Sequence, residues 1–195
     1  MKKKITEIEE TRWRTVYTKD YLGNRHRGQE EYTAFRNVKT VTEGPRFAHY
    51  FVDLICYYII MITFSFLISF IELYSNYKNS SASLSFQYVS QIFFILSYPL
   101  YYFFFEALWQ KTPGKFLTKT IVINEYGEKP NIGSIILRSL IRLIPFEAFS
   151  CFGNRKKQSL GWHDRWSKTY VVPIEERDIL LNILSIEHIN EVQNE

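Results

Sequence analysis

Long apolar stretches separate the polar parts of this chain. Residues 54–71 carry no charge, and extending the stretch back to position 47 adds only His49 and Asp53 as ionisable groups. Residues 86–105 are also free of charge and contain Pro99, which a membrane helix tolerates because neighbouring groups can satisfy the freed carbonyl. A helix needs roughly 20 apolar residues to cross the hydrocarbon of a bilayer. The pattern therefore predicts two transmembrane helices, over residues 47–71 and 86–108.

A third apolar stretch, residues 132–152, carries charges within it. At 100° per residue Arg138 and Arg142 share one face, while Ile136, Leu140 and other aliphatic residues lie opposite. This pattern predicts an amphipathic helix that lies in the membrane interface. A third span is the alternative, which central arginines disfavour because they are costly to insert.

The polar segments predict a small β-containing cap. Residues 12–18 alternate weakly, like a strand, and residues 23–31 have the composition of a solvated loop. Residues 120–123 and 169–172 are β-like, and we expect them to pair, whereas apolar spacing over residues 175–192 predicts a tail helix. The expected fold class is an α-helical integral membrane protein, organised as an N-terminal arm (1–43), a membrane domain (44–172) and a C-terminal tail (173–195).

The distribution of charge predicts how the chain sits in the membrane. Formal net charge is +4, and 23 of the 24 Lys and Arg residues lie outside the segment between the two predicted spans. Positive charge near span ends is retained in the cytoplasm, so we expect both termini to be cytoplasmic in the plasma (inner) membrane. The expected partner is the lipid bilayer and not nucleic acid, because no dense basic patch is interleaved with aromatic residues.

Ionisable residues near the span ends form the candidate site. Arg46, His49 and Asp53 lie on one helix face, and a carboxylate inside an apolar helix is a functional hypothesis. Two readings stay open, a structural Arg46–Asp53 ion pair and a path for protons or cations. Nothing predicts an enzyme, a cofactor or a metal ion. The complete candidate set is Arg46, His49, Asp53, Glu106, His163 and Asp164.

Four sequence blocks resemble the RDD family of membrane proteins. They are GPRFAHYFVDLI, YYFFFEALWQKTPGKFLTKTIVINEYGEKP, RSLIRLIPFEAFS and GWHDRWSKTYVV, and the resemblance extends over about residues 43–172. The family is named for one arginine and two aspartates, which match Arg46, Asp53 and Asp164. The resemblance implies a membrane protein; most of the family has no assigned activity, and some members resemble sodium–proton antiporters.

Two functions are therefore expected as alternatives. The first is a small transporter that exchanges cations or protons, with Asp53 as the titrating group. Since two spans cannot easily enclose a pore, such a transporter is expected to be a homo-oligomer. The second is a non-transporting membrane scaffold or accessory protein, which acts through its cytoplasmic arm and tail.

Overall fold

Among the residues that the structure describes, the fold is mostly helical, with two long helices and two small sheets. The computed structural model describes residues 2–76, 83–151 and 160–193. The long helices are α1 (Glu43–Asn76) and α2 (Ser83–Trp109). Within them, Glu43–Ile71 and Gln91–Trp109 are long and apolar enough to cross a membrane, where the sequence predicts spans. Much of the predicted outer loop, residues 77–82, lies outside the described residues.

Aromatic side chains hold α1 and α2 together. Tyr57 and Met61 of α1 are buried against Tyr101 and Tyr102 of α2. The Tyr57 hydroxyl lies 2.8 Å from that of Ser97, which satisfies both groups away from water. The outward faces of both helices are apolar and exposed, as lipid contact requires.

A cap gathers beside the start of α1 and the end of α2. Its helices are α3 (Pro113–Leu117), α4 (Ile132–Ile141), a 3-10 helix (Glu147–Cys151), α5 (Trp162–Trp166) and α6 (Ile174–Gln193). Its strands are β3 (Thr120–Asn124) and β4 (Thr169–Pro173).

The predicted pairing of the two cap strands is confirmed. β3 and β4 are antiparallel, with Ile121 opposite Val172 and Val122 opposite Val171. Because side chains alternate along a strand, the sheet buries both faces. Ile121 and Val172 pack with Ile5 and other residues of a core that includes α6, and Val122 and Val171 pack with Val41 on the other face. The predicted tail helix is also present, as α6.

The third apolar stretch differs from the prediction. Helix α4 ends at Ile141 after 10 residues, half the length that a membrane crossing needs, so it is not a third span. Arg138 is fully buried, whereas Ile136 and Leu140 are exposed. The polar face of α4 therefore points into the protein, where Arg138 pairs with the buried carboxylates of Glu106 and Asp164. Phe152, the predicted end of the helix, lies outside the described residues.

The N-terminal arm is a hairpin in which the predicted loop is a strand. β1 (Glu9–Lys19) pairs along its whole length with β2 (Arg25–Phe35). The predicted solvated loop, residues 23–31, is therefore strand from Arg25 onwards; its residues are exposed, but only positions 23 and 24 lie in the turn. Cross-strand ion pairs such as Arg14–Glu30 stabilise the hairpin, which explains why the polar residues 25–31 form a strand. The base of the hairpin is tied to α6, since Arg36 donates to Glu176 at 3.2 Å.

Candidate functional site

Asp53 joins α1 to the turn that follows α2. Its carboxylate accepts hydrogen bonds from the Thr112 hydroxyl at 2.6 Å and from the Gly114 backbone N–H at 2.8 Å. The Tyr101 hydroxyl donates to the same carboxylate at 3.5 Å. Asp53 is buried, and these donors replace the water that a carboxylate otherwise needs.

His49 lies one turn before Asp53 and faces the start of the cap sheet. Its Nε2 contacts the Thr118 hydroxyl and lies 3.2 Å from the Thr120 hydroxyl. Gly114 passes directly over His49, since a Cβ at Gly114 would lie only 2.5 Å from the His49 carbonyl oxygen. Glycine is therefore required where α3 crosses α1.

Glu106 is the centre of a second group of contacts, at the end of α2. It accepts a hydrogen bond from the Lys115 ammonium and another from Arg138 Nε at 2.8 Å. Arg142 lies 3.6 Å from the same carboxylate, with its guanidinium 4.0 Å from the centre of the Tyr102 ring. Burial lowers the pKa of Lys115 to about 8, although Glu106 opposes this shift.

Asp164 is the carboxylate that connects α5 to α1 and α4. Arg46 donates to it at 2.6 Å, Arg138 donates to its other oxygen, and the Gly161 N–H donates at 3.2 Å. Burial alone would raise the pKa of Asp164, but Arg46, His163 and Arg138 outweigh it and hold this pKa well below its usual range. Asp164 therefore stays ionised inside the protein.

His163 and Glu147 form a neighbouring buried pair. His163 Nδ1 contacts a Glu147 carboxylate oxygen, and His163 Nε2 lies 3.3 Å from Asp164. Burial lowers the pKa of His163 to about 4. Burial opposes ionisation of Glu147 as well, but its contact with His163 dominates and lowers the pKa of Glu147 to about 2.

The charged residues surround a small cavity of about 70 Å³. The buried cluster consists of four cations, Arg46, Lys115, Arg138 and Arg142, and four carboxylates, Asp53, Glu106, Glu147 and Asp164. Glu106 and Asp164 do not line the cavity. Phe47 and Phe149 also line it and are more than half exposed, so they mark its mouth. The lining is therefore richer in cations than in carboxylates. The charged and histidine side chains at the cavity wall are Arg46, His49, Asp53, Lys115, Arg138, Arg142, Glu147 and His163.

The predicted site residues lie in one region but pair differently from the prediction. Arg46 and Asp53 do not form the expected ion pair, because Arg46 bonds to Asp164 and Asp53 bonds to Thr112 and Gly114. All six predicted residues are buried: Arg46, His49, Asp53, Glu106, His163 and Asp164.

Four further members of the cluster were missed as site residues. The sequence placed Arg138 and Arg142 on the polar face of an interfacial helix, and Lys115 and Glu147 were not among the predicted site residues. One signal was present in the sequence. Two arginines spaced i, i+4 in an apolar helix are costly unless carboxylates elsewhere pair with them.

These features define a class of protein. Its described residues include two helices that are long and apolar enough to cross a membrane and a compact cap, joined by a buried cluster of ion pairs. Comparison with protein families gives the particular member of this class. The chain belongs to the RDD family, whose sequence model matches residues 40–168, and the proteins of this family are membrane proteins.

The family match covers about two thirds of the chain and contains α1 to α5. It includes Arg46, Asp53 and Asp164, which match the arginine and the two aspartates for which the family is named. Comparison with curated proteins and with solved structures finds no significant match.

Proposed function

We propose that the protein is an integral membrane protein of the plasma (inner) membrane that acts as a non-transporting scaffold, with both termini cytoplasmic. The single observation that carries this proposal is the hairpin β1–β2, which extends from the cap with most of its side chains exposed. A two-stranded hairpin without a packed face is marginally stable in water. A partner that covers one face would stabilise it.

One face of the hairpin suits such a partner. Trp13 and Tyr17 lie on the same side of β1, and Phe35 lies on this side of β2; all three are about two-thirds exposed. Aromatic residues are enriched at protein interfaces because they bury a large area at low cost in side-chain entropy. The opposite face carries Arg14 paired with Glu30, which is typical of a surface in contact with water.

The buried cluster supports the same proposal. A carboxylate that exchanges ions must release its ligands easily, yet Asp53, Glu106 and Asp164 each accept contacts from at least three groups. Residues 59–71 and 91–97 contain no ionisable side chain, so an ion would meet an apolar barrier beyond the cluster. We infer that the cluster locks the cap onto the two helices.

Cation or proton exchange is the second candidate, because Asp53 is an intramembrane carboxylate beside a cavity. It requires several copies of the chain to enclose a path. A homo-oligomer is therefore part of this second proposal and is not needed by the first.

Ion flux in everted membrane vesicles separates the two functions. We expect wild-type protein to give no cation-dependent proton flux above empty vesicles with Na⁺, K⁺ or Li⁺. In parallel, a photo-crosslinking residue at Trp13 is expected to capture a defined protein, whereas one at Phe66, exposed on α1, is expected to capture none. Flux that is abolished by Asp53→Asn, with insertion unchanged, would reject the scaffold and establish exchange.

A further inference from the structure

The cavity beside the cluster is lined by positively charged groups whose hydrogen-bond donors lack acceptors. Among the described residues, Arg46 Nη2, Arg138 Nη2 and Arg142 Nε are buried and have no hydrogen-bond partner. All three side chains line the cavity. A buried charged donor without an acceptor costs free energy, and such groups are rare in native proteins.

The carboxylates, by contrast, are already occupied by donors from the protein. Asp53 accepts from Thr112, Gly114 and Tyr101, and Glu147 contacts His163 and Ser150. A cation in the cavity would therefore compete with existing hydrogen bonds and lie among arginines. An anion would find three guanidinium groups with N–H donors to spare, together with the ammonium of Lys115.

We propose that this cavity binds a phosphate group. Guanidinium groups match the oxygen atoms of phosphate in geometry as well as in charge. A cavity of about 70 Å³ exceeds by several-fold the roughly 10–15 Å³ that one water molecule needs, and so gives room for one tetrahedral oxyanion. Two exposed rings, Phe47 and Phe149, border the entrance.

The same chemistry has two sources, a lipid headgroup and a free phosphate ion. The position of the cavity favours the headgroup. Phe47 and the exposed Phe51 lie in the first turns of a helix that can cross a membrane, so acyl chains can pack beside the entrance while the headgroup enters. This proposed site binds an anion through arginines and does not require the protein to exchange cations or protons.

The test uses the full chain, purified in lipid-free detergent and, separately, reconstituted in nanodiscs. Thermal unfolding is followed while inorganic phosphate is added, with sodium chloride at equal ionic strength as the reference. The lipid arm compares nanodiscs of phosphatidylcholine, whose phosphate is a diester blocked by choline, with nanodiscs that contain phosphatidic acid, whose phosphate is a monoester free to enter the cavity. At tenfold excess over the dissociation constant, the melting temperature is expected to rise by roughly 3–6 °C.

Arg142→Gln is the informative variant, because the Arg142 side chain contacts the described part of the cluster through one 3.6 Å ion pair with Glu106 and through its stacking on Tyr102. We expect it to weaken phosphate binding by about 10- to 100-fold. Arg14→Gln on the exposed hairpin removes the same charge and is expected to bind as wild type does. If Arg142→Gln does not fold, Arg142→Lys retains the charge without the planar fork and is expected to bind more weakly than wild type.

Each outcome decides the proposal. A shift in both arms, or in the phosphatidic acid arm alone, supports the site with a lipid headgroup in it. A shift with inorganic phosphate alone supports the site with a free anion in it. No shift in either arm, an equal shift with chloride, or an equal shift in the Arg142 variants overturns the proposal.

Discussion

Gly114 marks the closest approach of the cap to α1. Its neighbours there are backbone atoms, the carbonyl oxygen and Cα of His49, which would lie 2.5 and 2.8 Å from an added Cβ. Backbone atoms cannot rotate away as a side chain can. The contact also places the Gly114 N–H on Asp53, so one small residue permits both the crossing and the hydrogen bond.

Gly114→Ala is therefore expected to destabilise the protein by about 3 kcal/mol, the upper part of the range for overpacking. The melting temperature of purified protein in detergent measures this. Gly44→Ala is the matched control, because no heavy atom lies within 4 Å of its Cβ and alanine favours the helix more than glycine does. Equal melting temperatures for the two variants would contradict the close crossing.

His163 sets an acid limit on stability. The pKa of His163 is lowered to about 4 from 6.5, so the unfolded chain binds more protons than the folded protein between these values. The stability of the neutral, buried form is complete above pH 6.5 and is lost as the pH falls towards 4. Arg138 and Arg142 oppose protonation of His163, whereas Glu147 and Asp164 favour it.

Wild-type protein is expected to lose stability steadily between pH 6.5 and 4. His163→Gln is expected to be less stable at pH 7 but to show a flatter dependence over this interval. Melting temperatures of both proteins from pH 4 to 7.5 check this. His188→Gln is the control for the loss of a histidine, since His188 is an exposed residue of α6. An unchanged slope in His163→Gln would show that another group causes the acid sensitivity.

At the scale of elements, the buried carboxylate of Glu176 in α6 helps to anchor the base of the hairpin. Glu176 is 4% exposed and accepts from Arg36 with both oxygens, at 3.2 and 3.3 Å. It also accepts from the Lys39 N–H at 3.4 Å. Arg36 begins the segment that links β2 to α1, so the contact fixes where the hairpin leaves the cap.

Glu176→Ala is expected to lower stability locally by on the order of 2 kcal/mol, because charge-assisted hydrogen bonds are lost and Arg36 is left unpaired. Hydrogen exchange of the backbone amides in β1, β2 and the following segment measures the effect. Glu175→Ala, at the neighbouring exposed position, is expected to change exchange little. Protection that stays equal in both variants would mean that the hairpin does not depend on this contact.

Helix α4 shows why element boundaries and faces were harder to predict than element types. The apolar spacing correctly indicates a helix, but Arg138 and Arg142 satisfy the pattern of an interfacial helix equally well. The arginine face of α4 points into the protein because Glu106 and Asp164 accept hydrogen bonds from Arg138. These two carboxylates lie 32 and 26 positions away from Arg138 in the sequence. A periodicity within one helix carries no information about partners so distant.

At the scale of the molecule, the charge pattern leads to an orientation that can be measured. We expect the hairpin and α6 to lie on the cytoplasmic side and the segment between α1 and α2 to lie on the outer side. The buried cluster at one end of both helices agrees with a cap on a single side of the membrane.

Single cysteines test this orientation after Cys56→Ser and Cys151→Ser. A membrane-impermeant maleimide is expected to label Ser80→Cys on intact cells, and to label Tyr21→Cys and Ser185→Cys only after the membrane is opened. Ser80→Cys on opened membranes serves as the control for reactivity. Labelling of Tyr21→Cys on intact cells would reverse the orientation.

The sequence by itself determined the two long helices, the pairing of β3 with β4, the tail helix and the resemblance to the RDD family. These follow from apolar length, from residue spacing and from motifs, which are properties of neighbouring positions. Only the tertiary structure decided that Arg46 pairs with Asp164, that Asp53 holds the turn at Gly114, and that Arg138 lies buried. The physical reason is that a buried charge is stable only beside a partner, and folding alone decides which distant residue becomes that partner.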